Sequence, residues 1–191
     1  MLIDGDYVDS VAFDLIVNFE RMLGRRIPNA DMARWIDCIA LDGGLRAMEA
    51  GAEPRDTQVI FLHDRHSDSL RHFTPGRYDS ELNAMAFSDS LGEFVLSAFA
   101  VEEVVSRDDF FVDVLHTVCN HKDVRRVMVV PDACNAALCE SIRRALRDVS
   151  DDKRVTLFAM QPLPGGNYRQ EILGYSLMNA MGIRGEELGR Q

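Results

Sequence analysis

The stretch Val127-Met128-Val129-Val130-Pro131-Asp132 decides the fold class. Its four consecutive apolar residues, β-branched at three positions, suit a strand covered on both faces, and Pro131-Asp132 turns the chain into a helical pattern over Ala136 to Arg147. On its N-terminal side, Phe111, Val114/Leu115 and Val118 share one face of a helix over Asp108 to Cys119, where Asp108 or Asp109 meets the positive end of the helix dipole. On its C-terminal side, Val155 to Ala159 is a further apolar strand, and Gln58 to His63 is another. The opening Leu2-Ile3-Asp4 reads as a short first strand that meets Gly5 at once. A helix capped at Asp9 or Ser10 follows, with Val11, Leu15, Phe19 and Met22/Leu23 at helical spacing until Gly24; Pro28-Asn29 opens a second, with Met32, Trp35/Ile36 and Ile39/Ala40. Strands separated by helices predict a three-layer α/β/α sandwich on a mostly parallel central sheet.

Other stretches are less regular. Asp64 to Glu81 lacks an apolar period and reads as a long surface loop. Glu93 to Val105 fits strand or helix, with a strand near Phe94 to Phe99 favoured. Beyond Gln161 the composition turns to Pro162, Pro164, Gly165 and Gly166, then to a short helical stretch near Tyr168 to Met181. One domain over residues 1–160 with a C-terminal extension over 161–191 packed upon it accommodates these features. Within that extension, Ile172 to Met181 covers either a sheet edge or a second copy of the chain in a homodimer.

Composition bounds the function. The 191 residues are 47% hydrophobic and 27% charged, ordinary values for one globular domain. No run approaches a membrane span, and Met1-Leu2-Ile3-Asp4 lacks the layout of a signal peptide, so a cytoplasmic protein is expected. Lys and Arg number 21 against 31 Asp and Glu, a net charge of −10, which repels phosphate backbones and counts against general nucleic-acid binding. Cys38, Cys119, Cys134 and Cys139 are too scattered for a disulfide framework or a paired zinc set and read as reduced core thiols.

Chemistry is expected where the strands end. In open α/β sheets, sites form outside the carboxyl ends of the strands, and two of these strands end in carboxylates, Asp4 and Asp132. Asp109 and Asp113, four residues apart, share a helix face, and Asp6 follows Asp4 closely. Carboxylates that converge call for a hard cation such as Mg²⁺ or Mn²⁺, which makes a phosphoryl-transfer site of Asp4, Asp109, Asp113 and Asp132. The plainer reading is that each aspartate caps a helix. His63, Asp64, His66 and Asp68 form the other polar cluster, read as a solvated loop with His63 at a strand end; His116, His121 and Trp35 read as surface or core.

Leu2-Ile3-Asp4-Gly5-Asp6 resembles the first strand of the NYN branch of PIN-like nucleases. Ser106 to Leu115 resembles that family's acidic helix start, Val127 to Asp132 its strand ending in aspartate, and Lys153 to Ala159 its following strand; these pieces cover less than half of the chain. The resemblance implies a PIN/Rossmann-like fold and Mg²⁺- or Mn²⁺-dependent cleavage of RNA. Asp4, Asp6, Asp113 and Asp132 would then hold the metal, and Asp4, Asp109, Asp113 and Asp132 would serve catalysis. The chain departs from the pattern at Tyr7, where the family has asparagine, and at Ala133-Cys134-Asn135, where a second carboxylate is expected. Those departures keep open a non-enzymatic protein-interaction module on the same fold. A third reading, from the Asp4-Gly5-Asp6 spacing, resembles haloacid-dehalogenase-like phosphatases, with Asp4 as nucleophile, Asp6 as general acid, and Lys122 and Asp132 in the later roles.

Overall fold

A computed structural model describes residues 1–102 and 106–188. Its central sheet has seven strands: β1 (Leu2–Asp4), β3 (Asp56–Asp64), β5 (Met85–Asp89), β6 (Gly92–Val101), β7 (Arg126–Val130), β8 (Arg154–Ala159) and β9 (Arg169–Ile172). They lie in the order β5-β6-β3-β1-β7-β8-β9, all neighbours parallel except the antiparallel β5-β6 pair at one edge. Taken in chain order, the six parallel strands have the arrangement 3-2-1-4-5-6 of doubly wound sheets. Two very short strands, β2 (Ala30–Asp31) and β4 (Phe73–Thr74), pair separately.

The strands alternate their apolar residues between two cores. Ile3, Phe61, Met128, Val130 and Phe158 face a core shared with helices α1 (Gly5–Leu23), α2 (Met32–Asp42) and α5 (Leu173–Ala180). Leu2, Leu62, Val127, Val129 and Leu157 face the other, beneath α3 (Arg107–Asn120) and α4 (Ala136–Ala145). This alternation is the pleat of strands buried on both faces, and it completes the three-layer α/β architecture expected from the sequence. Trp35 of α2 is fully buried, edge-on to Phe73, and its indole N–H donates to Ser176 Oγ at 3.1 Å, so its polar atom costs nothing in the core. No helix among the described residues is long and apolar enough to cross a membrane.

Several boundaries differ from the expected ones. The first helix begins at Gly5, because Asp4 itself caps it by accepting the Tyr7 N–H; Gly24 ends it in the left-handed conformation, φ 63°. The second helix begins after Asp31 instead of Pro28-Asn29, since Asp31 accepts the Arg34 N–H. Asp64 to Glu81 is not merely a surface loop: Leu70, Phe73 and Tyr78 are buried and join the first core. The strand near Phe94 to Phe99 runs over the whole of β6. After residue 160 the chain first adds β9 beside β8, a strand where the sequence predicts the start of a helix, and then α5, which covers the sheet's face beside α2. A last turn, α6 (Gly185–Leu188), is tied back by the Arg25–Glu187 ion pair.

Candidate functional site

The chain passes from β1 to β3 on one side and later crosses to β7 on the other, so the topological switch point lies between β1 and β7. There the two strands run parallel with Ile3 opposite Val130, which puts Asp4 and Asp132 just beyond the last paired residues at the same carboxyl edge. Asp4 and Asp132 influence each other electrostatically, and Asp6 adds to that repulsion.

Asp4 is only 4% exposed. Its Oδ1 accepts the Tyr7 N–H at 2.9 Å and an ion pair from Arg107 Nη2. The other guanidinium nitrogen, Nη1, lies 2.9 Å from Asp6 Oδ2, which also accepts the Asp64 N–H at 2.7 Å. Arg107 is the first residue of α3, and Ser106 caps that helix by accepting the Asp109 N–H, which aims the arginine across the cleft. Burial pushes the Asp4 carboxyl up to about 6; Arg107 and the Tyr7 N–H pull it back, while Asp6 and Asp132 push it further up. Asp4 therefore changes charge near neutral pH even with an arginine beside it.

A second layer closes the site. Tyr78, 1% exposed, stacks on His63 with ring centroids 3.8 Å apart and planes at 8°. The His63 Nδ1 lies 2.9 Å from the Asp64 carbonyl, which can only accept, so this nitrogen carries the proton. A Cβ on residue 5 would come within 2.3 Å of the Tyr78 hydroxyl, so glycine is required there. That hydroxyl and Arg107 Nε are buried without a hydrogen-bond partner among the described residues. Burial, with Asp6, Asp9 and Asp4 nearby, raises the Tyr78 phenol far above its ordinary range, so it remains a proton donor.

Of the sequence-predicted residues, Asp4, Asp6 and Asp132 meet at this edge, and Asp109 and Asp113 do not join them. On α3 the buried stripe is Phe111, Leu115 and Cys119; Asp109 and Asp113 stand two residues from Phe111, about 200° around the helix, and both are exposed. Asp113 also lies about 9 Å down the helix axis from Arg107. Asp132 Oδ1 turns to accept the Cys134 N–H at 3.0 Å, and Asn135 both caps α4 and donates to Asp108 Oδ2 at 2.7 Å. Lys122 sits in the turn between α3 and β7, at the amino edge of the sheet and away from Asp4. His66 and Asp68 are exposed.

No group of three or more His, Cys, Asp or Glu among the described residues is arranged to hold a metal ion. The guanidinium of Arg107 bridges the carboxylates where a cation would bridge them, so the residues as they stand do not fit Mg²⁺ or Mn²⁺. Arg107 and Tyr78 were not found from sequence: one is a lone base among acids, the other lies in an aperiodic loop.

A doubly wound, mostly parallel sheet with a buried, charge-bridged cluster at its switch point defines a three-layer α/β domain. The chain belongs to a family of unknown function (DUF6621), whose model matches residues 1–188. No curated protein and no solved structure matches it.

Proposed function

We propose that this chain is a non-enzymatic protein-interaction module, a silent relative of PIN-like nucleases whose carboxyl edge recognises a basic segment of a partner protein. One observation carries the reading: Arg107 bridges Asp4 and Asp6 at the switch point. A guanidinium neutralises carboxylates as a metal would, but it never deprotonates in a protein and generates no hydroxide nucleophile. Asp108 and Asp132 flank it at that edge, and the exposed Asp109 and Asp113 continue the acidic surface onto the outer face of α3. That surface attracts Lys/Arg-rich chains and repels RNA, in keeping with the net charge of −10. The four cysteines are unpaired but, against expectation, only Cys119 is a core residue, with Cys38 and Cys139 half-buried and Cys134 exposed; unpaired thiols suit a reducing compartment, and we infer action in the cytoplasm.

Parallel titrations of the purified chain with a lysine-rich peptide and with Mn²⁺ test this. Expected are salt-sensitive peptide binding, at least threefold weaker in an Asp109→Asn/Asp113→Asn variant, no change in melting temperature at millimolar Mn²⁺, and intact single-stranded RNA. Manganese-dependent stabilisation together with RNA cleavage, both lost in Asp4→Asn, would overturn the reading in favour of a nuclease. Failure to bind the peptide would overturn its choice of partner.

A further inference from the structure

A cavity of about 1000 Å³ lies at the opposite, amino edge of the sheet. Its walls come from the start of β3, the turn before β7, the end of α3 and the segment after α2. The volume is at the upper end of the range for small-molecule sites.

Four arginines line it: Arg46, Arg55, Arg125 and Arg126. In a chain with ten more acids than bases this concentration calls for an explanation. Part of it is architectural. Helices in this fold run antiparallel to the strands they follow, so α2 and α3 bring their C-termini, with unpaired carbonyls and partial negative charge, to the amino edge. Arg46 Nη1 accordingly donates to the Leu41 and Leu45 carbonyls at 3.1 and 2.6 Å, and Arg126 Nη1 to the Gly43 carbonyl at 2.7 Å. Arg55 Nη1 donates to the carbonyls of Arg46 and Leu91 at 2.9 and 3.3 Å.

Carbonyl anchoring has a further consequence. It fixes each guanidinium without cancelling its charge, and among the described residues Arg46, Arg55 and Arg126 form no ion pair. Arg125, by contrast, is paired with Asp152 at 2.6 Å. Glu53, Asp56 and Asp123 also line the cavity, yet burial first, and then the charges of Arg154, Arg55, Arg46 and Arg169, pull Arg126 below the ordinary arginine range. Gly44, at φ 89°, permits the close approach: a Cβ there would fall 2.6 Å from Arg126 Nη1. Oriented guanidiniums with unspent charge bind phosphate oxygens through paired N–H donors. Across the rim of the sheet, on the α3 side, Ile60, Val118 and Val124 are half-buried and give the same cavity an apolar stretch. We infer that this cavity binds a phosphorylated small molecule of nucleotide size, with its phosphates on Arg46, Arg55 and Arg126 and its apolar ring against Ile60 and Val118.

The inference does not depend on the reading of the carboxyl edge, and its test separates the two. The full chain is melted with ATP, with inorganic tripolyphosphate, and with sodium sulfate at matched ionic strength. For a Kd of about 0.1 mM, 1 mM ATP should raise the melting temperature by about 3–6 °C. Sulfate should give less than a third of that. Arg126→Gln should abolish the rise; Arg46→Gln, at an exposed position, should at least halve it with folding unaffected; Asp4→Asn should leave it intact. A rise with tripolyphosphate equal to that with ATP would keep the anion site and overturn the ring contact. No rise with either compound, or an equal rise in both arginine variants, would reduce these arginines to helix C-terminal caps and overturn the site.

Discussion

The two edges of the sheet carry opposite charge for one architectural reason and dispose of it in opposite ways. Helix N-termini converge at the carboxyl edge, where Asp4, Ser106 and Asn135 cap α1, α3 and α4, so carboxylates and their isosteres are favoured there. Helix C-termini converge at the amino edge, where arginines take up the carbonyls that end α2 and Lys153 the one that ends α3. At the carboxyl edge the innermost charge is spent internally, Arg107 against Asp4 and Asp6, and only the carboxylates outside that pair, Asp108, Asp109, Asp113 and Asp132, face a partner. At the amino edge it is held by neutral carbonyls and stays available. Charge gathered at a helix end is thus a product of the fold, and whether it forms a binding site depends on what answers it.

The contrast breaks first at Arg107. Removing it leaves two carboxylates facing Asp132, and because Asp4 is buried the loss resembles breaking a buried pair at its lower limit. Arg107→Ala should cost about 3 kcal/mol by urea unfolding at pH 8, and clearly less at pH 5, where Asp4 takes up a proton. An equal cost at both pH values would mean that Asp4 is not the group relieved. A more revealing change is Asp4→Asn, which keeps the cap. Since the Asp4 carboxyl sits near 6 rather than 3.8, the folded protein retains a proton that the unfolded chain releases between about pH 4 and 6. Its contribution to stability is therefore greatest below that window and is lost as pH rises through it. Asp4→Asn should flatten this decline and stabilise the protein at pH 8 by about 2 kcal/mol. A steeper decline in the variant would show that Arg107 outweighs burial.

The carboxyl edge was partly legible in the sequence because its members end apolar runs. A strand such as Val127 to Val130 announces its direction and its end, so the sequence pattern predicts Asp132 beside Asp4, as the register of β1 and β7 places them. Arg107 was not legible, since a single base before Asp108-Asp109 carries no periodic signal and its aim is fixed only by how α3 docks. Tyr78 was hidden because Asp64 to Glu81 buries its apolar residues at irregular spacing. The α3 carboxylates misled for a geometric reason. Four-residue spacing places Asp109 and Asp113 on one face, but which face is decided by Phe111 and Leu115. The amino-edge arginines, from residue 46 to residue 126, are joined only by topology.

At the amino edge the expected effects are smaller because loss and relief oppose each other. Arg126→Gln gives up a hydrogen bond to the Gly43 carbonyl, a net loss of about 1 kcal/mol, and also removes repulsion from Arg46, Arg55, Arg154 and Arg169. Stability should therefore change by less than about 1 kcal/mol in either direction. Raising NaCl from low to high concentration should stabilise the wild type more than the variant, because there is more like-charge repulsion to screen. Identical salt dependence would mean that the wall carboxylates Glu53, Asp56 and Asp123 already neutralise the cluster.

The smallest effect belongs to Asp113, and its smallness is informative. The residue is exposed in the middle of α3, on the face opposite Phe111, and the Thr117 hydroxyl bonds its backbone carbonyl, leaving the carboxylate out of the contact. It lies beyond the first turn, where the helix dipole has little hold, so Asp113→Asn should shift stability by less than about 0.3 kcal/mol. Asp109→Asn, inside the first turn, should cost about 0.5 kcal/mol by losing that interaction. A metal site of the kind first expected predicts the reverse ranking in the presence of Mn²⁺, with Asp113→Asn erasing any metal-induced rise in melting temperature. Melting both variants with and without 5 mM Mn²⁺ decides it. A manganese response that vanishes in Asp113→Asn would require α3 to rotate by roughly half a turn, exposing Phe111 and Leu115, and would break the contrast between the edges at its root.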